Sequence, residues 1–367
     1  MKGVTGALEI ARGKNAQRAW DSRERGWEVG WMKGREELRA CRHCGREPAQ
    51  YLRAVSGEGL CLKCLFASVE RTVAKTIRRH KMIVPGDSVA VAVSGGKDSL
   101  VLLYMLGKFA RRGLLRGVRV EAFVLDEGHE YSAARMRRVS AARELAESFG
   151  FEFGVYRFQD IFGATAAELY ERLARSGYNV GMCTIDGVLR RRAMDVVGRA
   201  RGWTKIALAH NLDDEAQTTL LNVLAGGLQR FYRRRGEPEE PGAIPRVKPL
   251  MYVREEETAL YAYYHGLPLM EVECPYIVRN PRYDIKFFLA ELERKMPHVK
   301  YALVSFGERL ARELREPRAS ARAMKCKYCG LASSGSVCRA CELFERAGLL
   351  DRYLSALREA GAAAGRA

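Results

Sequence analysis

No apolar run in the 367 residues approaches the roughly 20 that a membrane-spanning helix requires. The N-terminus also lacks the compact apolar segment of a secretory leader. No membrane association and a cytoplasmic address are therefore expected. There is no internal repeat beyond two similar cysteine-rich modules. Acid is short of base: 44 Asp and Glu stand against 62 Lys and Arg, a net +18. Two four-thiolate zinc centres, each about −2, would lower this only to roughly +14. A solvated surface is the plain reading of such a balance. A polyanionic partner is the sharper one, because basic surfaces attract phosphate backbones over long range. The runs Arg190-Arg191-Arg192 and Arg230-Phe231-Tyr232-Arg233-Arg234-Arg235 favour RNA, the second by setting guanidinium groups beside rings that can stack on unpaired bases.

What is present is led by cysteine. Eight of the ten fall in C-x2-C pairs, Cys41/Cys44 with Cys61/Cys64 and Cys326/Cys329 with Cys338/Cys341. Each pair places two thiolates on one side of a metal, and a second pair completes a tetrahedron. Gly45 and Gly330 follow the first pair of each set, as a tight knuckle prefers. Disulfides are the alternative, and the paired spacing with a cytosolic address argues against them. Two structural Zn2+ sites are expected, with His43 exposed or beside the metal rather than bound to it.

Residues 1–40 read as a basic extension, with Met32 a candidate true start. The first zinc module covers 41–66, a catalytic domain 67–316, a second zinc module 317–345, and a terminal helix with its tail 346–367. Within the catalytic domain a basic helix runs to His80. Ser88–Val93 reads as a buried strand, 99–110 as an apolar helix, Val118–Leu125 as a strand, Ala133–Phe149 as a helix and Phe151–Tyr156 as a strand. Lys205–Ala209 is another strand, with a helix over 213–225, a charged surface loop over 229–244, and helices through 254–316. Strand alternating with helix predicts an α/β fold, a parallel sheet covered on both faces.

Ser94-Gly95-Gly96-Lys97-Asp98-Ser99 lies between the first buried strand and its helix, where a phosphate loop belongs. The glycines let backbone amides approach an oxyanion, Ser94 and Ser99 add hydroxyls, Lys97 neutralises charge and Asp98 can hold Mg2+. The loop lacks the spacing of a Walker A motif. Ligands of a parallel sheet bind beyond the carboxyl ends of its strands, here Ala92, Val93 and Leu125, with Ala209 and His210 ending a later strand. Asp213 and Asp214 can position metal or polarise substrate, with simple capping of the helix as the alternative.

The loop resembles that of the ATP-PPase superfamily, the PP-loop adenine nucleotide alpha-hydrolase-like enzymes, which cleave ATP between its α and β phosphates. Asp126-Glu127-Gly128, His210-Asn211-Leu212-Asp213-Asp214-Glu215-Ala216-Gln217, Glu273-Cys274-Pro275-Tyr276 and the flanking cysteine pairs narrow it. Over roughly 41–345 the chain is similar to the TtuA-type tRNA 2-thiouridine synthetases. That resemblance implies adenylation of a uridine C2 carbonyl in tRNA, then sulfur transfer from a ubiquitin-like carrier with a C-terminal thiocarboxylate. The tRNA would be gripped by the zinc modules and the basic loop. It places Arg190 on phosphate and makes Cys183, Cys274, Asp214 and Arg190 the catalytic set. It also implies a 4Fe-4S cluster on three cysteines, of which Cys183 and Cys274 are present while Asp186 stands in place of the second. Three routes stay open: an iron–sulfur cluster with a carboxylate ligand, cluster-free chemistry through a persulfide and a Cys183–Cys274 disulfide, or a paralogue that thiolates poorly. Outside this chemistry, an amination or a zinc-dependent RNA scaffold are the rivals. The target leans to the T-loop over the wobble uridine, and a homodimer stays open.

Overall fold

The computed structural model describes residues 40–137, 139–227, 231, 243–268, 280–313, 324–333 and 335–364. The expected strand Ser88–Val93 is β3, Ser88–Ala92, preceded by the short hairpin strands β1 (Tyr51–Arg53) and β2 (Glu58–Leu60) and the helix α1 (Leu62–Arg79). After β3 come α2 (Lys97–Arg111), β4 (Arg119–Asp126), α3 (Glu130–Met136), α4 (Val139–Ser148) and β5 (Glu152–Arg157). Then follow α5 (Phe158–Phe162), α6 (Ala166–Arg175), α7 (Met182–Arg201), β6 (Lys205–Ala207) and α8 (Leu212–Leu224). The chain continues through β7 (Arg246–Val247), α9 (Glu255–Tyr264), α10 (Pro281–Lys295) and α11 (Val299–Glu313). A second hairpin, β8 (Met324–Lys325) and β9 (Ala332–Ser333), leads to α12 (Arg339–Arg346) and α13 (Leu350–Ala364).

The central sheet runs β5-β4-β3-β6-β7, every pairing parallel. Successive side chains of a strand point to opposite faces, and the core obeys this. Val89, Val91, Val120, Ala122 and Val124 pack into one apolar cluster with α1, α2 and α9. Ala90, Phe123 and Leu125 enter the other with α5, α6, α7, α12 and α13. Both faces are covered, as the strand–helix alternation predicts. Three details differ. The helix expected over Ala133–Phe149 forms as α3 and α4, since His129 caps a separate first turn. The terminal helix forms as α12 and α13, divided at Gly348, whose φ of +68° breaks the register. β7 was not foreseen; two residues carry no period.

Candidate nucleotide site and two four-cysteine centres

β3 is the strand at which the order reverses: β4 lies on one side and β6 on the other. Ligands of open parallel sheets bind at that switch, beyond the carboxyl ends of the strands. The loop Ser94–Ser99 stands there. Gly95 takes φ +86°, a conformation that L side chains rarely adopt. Gly96 then caps α2 with no side chain bonded to the first-turn amides. These N–H groups, at the positive end of a 15-residue helix, form an anion cradle. Ser94 and Ser99 hydroxyls lie 3.3 Å apart, and Ser99 Oγ donates to Gly96 O at 2.8 Å, fixing the turn.

Lys97 Nζ sits 3.0 Å from Asp98 Oδ2 and 3.1 Å from Glu255 Oε1. Glu255 also takes Lys286 Nζ at 3.0 Å. Burial pushes the Glu255 carboxyl up, but the two ammonium groups outweigh it and bring it to about 2. Lys97 is held charged, its desolvation outweighed by Asp98 and Glu255. Glu255 and Lys286 escaped the sequence reading, since they join the loop only through tertiary packing of α9 and α10.

The two aspartates of α8 part company. Asp213 is buried, accepting the Glu255 amide at 2.9 Å on Oδ2 and the Lys300 ammonium on Oδ1. Its oxygens are committed to α9 and α11. The cap of α8 is Asn211, whose Oδ1 accepts the Asp214 amide at 3.0 Å, while Asp214 Oδ2 accepts the Asn211 amide at 3.2 Å. Burial and the nearby Asp98 carboxylate push the Asp214 carboxyl up to about 6. His210 is half-exposed after β6, 3.9 Å from Glu215.

Arg190 projects from α7. Its Nε donates to Glu127 Oε1 at 2.7 Å, and its Nη2 lies 3.6 Å from Asp186 Oδ2. Glu127, 1% exposed, also binds the buried Arg135, so one carboxylate clamps two guanidinium groups. The sequence named Glu127 only as part of an acidic turn. Cys183 is exposed in the first turn of α7 and Asp186 is buried three residues on. Cys274 lies outside the described residues, as do Met32, the Glu273–Tyr276 turn and Arg230 with 232–235.

The expected basic patches need correction. Of the arginine run on α7, Arg190 is half-buried in ion pairs, Arg192 is buried, and Arg191 is exposed. Phe231 is also buried, at 1% exposure, and is not a free stacking ring.

Both cysteine sets gather as the spacing predicts, with all four sulfur atoms of each within 4.8 Å of one another. Cys61 Sγ caps α1 by accepting the Cys64 amide at 3.5 Å, and Cys338 Sγ caps α12 by accepting the Cys341 amide at 3.4 Å. Each set could hold a tetrahedral metal ion. The eight cysteines of the two sets form no disulfide with one another, against the disulfide alternative for these pairs.

A parallel sheet with a glycine-rich amide cradle at its switch strand defines a nucleotide-binding α/β protein of the PP-loop class. Residues 67–274 match the family model described as the PP-loop domain. Cytoplasmic tRNA 2-thiolation protein 1 of Bos taurus is 35% identical over 310 residues, 83% of this chain and 87% of that protein. The Oryza sativa subsp. japonica protein of the same name is 31% identical over 84% and 82% of the two chains. The solved structure of the U34-tRNA thiolase NcsA from Methanococcus maripaludis with its 4Fe-4S cluster superposes with a TM-score of 0.71 at 29% identity, covering 84% of this chain and 96% of that one. The chain belongs to the PP-loop family of cytoplasmic tRNA 2-thiolation protein 1.

Proposed function

We propose that this chain is an ATP-consuming tRNA sulfurtransferase acting in the cytoplasm. The observation that carries the reading is the uncapped amide terminus of α2 with Lys97 beside it, at the switch strand of a sheet whose relatives are named for tRNA thiolation. The 94–99 loop binds the phosphates of ATP, and strand-end backbone at Ala92, Val93, Leu125 and Ala209 receives the adenine edge. The uridine C2 oxygen attacks the α phosphorus and pyrophosphate leaves. Lys97 and the cradle stabilise the charge that develops on it. Asp98 and Asp214 would hold Mg2+, which neutralises further phosphate charge. Arg190, fixed by Glu127, reaches phosphate. A sulfur nucleophile then attacks C2 and AMP departs.

The four-cysteine centres would each hold Zn2+ in a structural role, with four thiolates and no open position. The ubiquitin-like thiocarboxylate donor is the sulfur source that the family resemblance supports. The solved relative is a U34-tRNA thiolase, which moves the proposed target from the T-loop to the wobble uridine. The boundaries 41–66, 67–316 and 317–345 remain our reading of the domains. Liquid chromatography–mass spectrometry of nucleosides from tRNA, with and without this chain, tests the proposal. A 2-thiouridine derivative that disappears with the chain supports it, and a nitrogen-for-oxygen mass change or no change refutes it.

A further inference from the structure

The sulfur end of the site, taken on the thiolase reading above, departs at one residue from the TtuA-type pattern that the sequence resembles. Asp186 Oδ2 lies 3.2 Å from His129 Nε2 and 3.6 Å from Arg190 Nη2. His129 is not free to turn away. As the cap of α3, its Nδ1 accepts the Ser132 amide at 3.0 Å. A ring nitrogen that accepts an N–H carries no proton, so the neutral ring bears its proton on Nε2 and donates it to Asp186. Arg190 is fixed in turn by Glu127 at 2.7 Å, and Glu127 by Arg135. The charges alternate Arg135, Glu127, Arg190, Asp186, and they balance.

We propose that Asp186, in the position of the family's second cluster cysteine, is the fixed counter-charge of Arg190 and acceptor of His129, and that this chain therefore assembles no 4Fe-4S cluster at Cys183. Cluster iron is bound by soft thiolate, and a carboxylate oxygen is a hard donor. Drawing Asp186 onto iron through Oδ2 would strip a buried acceptor from His129 and a counter-ion from Arg190, at a position only 7% exposed. The other oxygen, Oδ1, is buried with no hydrogen-bond partner. A single hard oxygen there suits a proton donor better than it suits cluster iron. Cys183, by contrast, is exposed.

The test is anaerobic purification of the full chain, reconstitution with ferrous iron and sulfide, and assay of iron and acid-labile sulfide per chain. Sulfide is the deciding readout, because iron that replaces zinc among four cysteines brings none with it. The wild-type chain should hold no acid-labile sulfide, and Asp186→Cys about four per chain. Cluster-level sulfide in the wild type overturns the proposal, and that measurement stands even if Asp186→Cys does not fold. Sulfide in neither protein, with Asp186→Cys folded, overturns the assignment of the block to Asp186. Nucleoside mass spectrometry of tRNA treated with the same wild-type sample, ATP and a sulfur donor tests the thiolase reading separately.

Discussion

Replacing Lys97 with alanine removes the one ammonium placed between the phosphate loop and α9. Its partners are Asp98 at 3.0 Å and Glu255 at 3.1 Å, so the loss has two separable consequences. For the fold it is small. Glu255 keeps Lys286 at 3.0 Å, Asp98 keeps the Thr258 hydroxyl, and an ion pair of a side chain 26% exposed is worth about 1 kcal/mol or less. For the chemistry it is large. Removing one preorganised group aimed at developing charge costs about 10²–10³-fold in rate, roughly 3–4 kcal/mol. The repulsion among Asp98, Asp214 and Glu255 that Lys97 offsets also falls on incoming triphosphate. Steady-state pyrophosphate release with tRNA and magnesium should fall by that factor, while the melting temperature moves by a few degrees at most. Lys286→Ala, which leaves Glu255 its bond to Lys97, should retain most activity. Unchanged turnover in Lys97→Ala would refute the phosphate role. So would a loss that merely tracks unfolding in the melting curve.

Further outcomes follow from the same geometry. Gly95→Ala forces a Cβ into φ +86°, a strain of about 1–2 kcal/mol, and should weaken ATP binding measured by calorimetry. Lys300→Met leaves Asp213 and Glu293 facing each other without their shared cation and should destabilise the fold by about 3–5 kcal/mol in urea unfolding. The Asp214 carboxyl, raised to about 6, is protonated below that value and ionised above it. Mg2+ binding to the nucleotide-free protein, read by calorimetry, should therefore weaken as pH drops through 6, and Asp214→Asn should remove that pH dependence. A zinc chelator, or Cys329→Ser, should release metal from the four-cysteine centres and lower the melting temperature, read by elemental analysis and calorimetry.

The parts legible in the sequence were those whose signal is local. Val89, Val91 and Val93 announce a buried strand, and the loop that follows needs no distant partner to be recognised. The cysteine pairs likewise carry their geometry in their spacing. The parts that were not legible depend on where elements meet. Glu255 reaches Lys97 across 158 positions, and Lys300 reaches Asp213 across 87. The arginine run is instructive because a signal was available. Consecutive residues on a helix point about 100° apart, so Arg190, Arg191 and Arg192 cannot share one face. In the structure Arg190 is in an ion pair, Arg191 is at the surface and Arg192 is buried. Asp186 was visible as an anomaly, but its partner His129 was not, being 57 positions away.

The placement of the cysteine centres explains why a nucleotide-binding sheet carries them at both ends. The first does not stand apart: Arg53 of its hairpin binds Glu257 at 2.8 Å, and Tyr51 donates to Glu256 at 2.6 Å. Those residues form the first turn of α9, which presents Glu255 to Lys97. The second lies in the other apolar cluster, where Cys326, Cys338 and Cys341 are buried with Ile185 and Leu189 of α7. Phe344 and Tyr353 stack there at 4.2 Å and close α12 and α13 against that helix. α7 carries Cys183, Asp186 and Arg190. Each centre thus packs against one helix that brings side chains to the site, the first against α9 and the second against α7. Four thiolates fixed at one point hold short, weakly paired hairpins more rigidly than their own two or three residues per strand can. Were each centre to hold a metal ion, its loss should be felt in the chemistry before the sheet itself gives way.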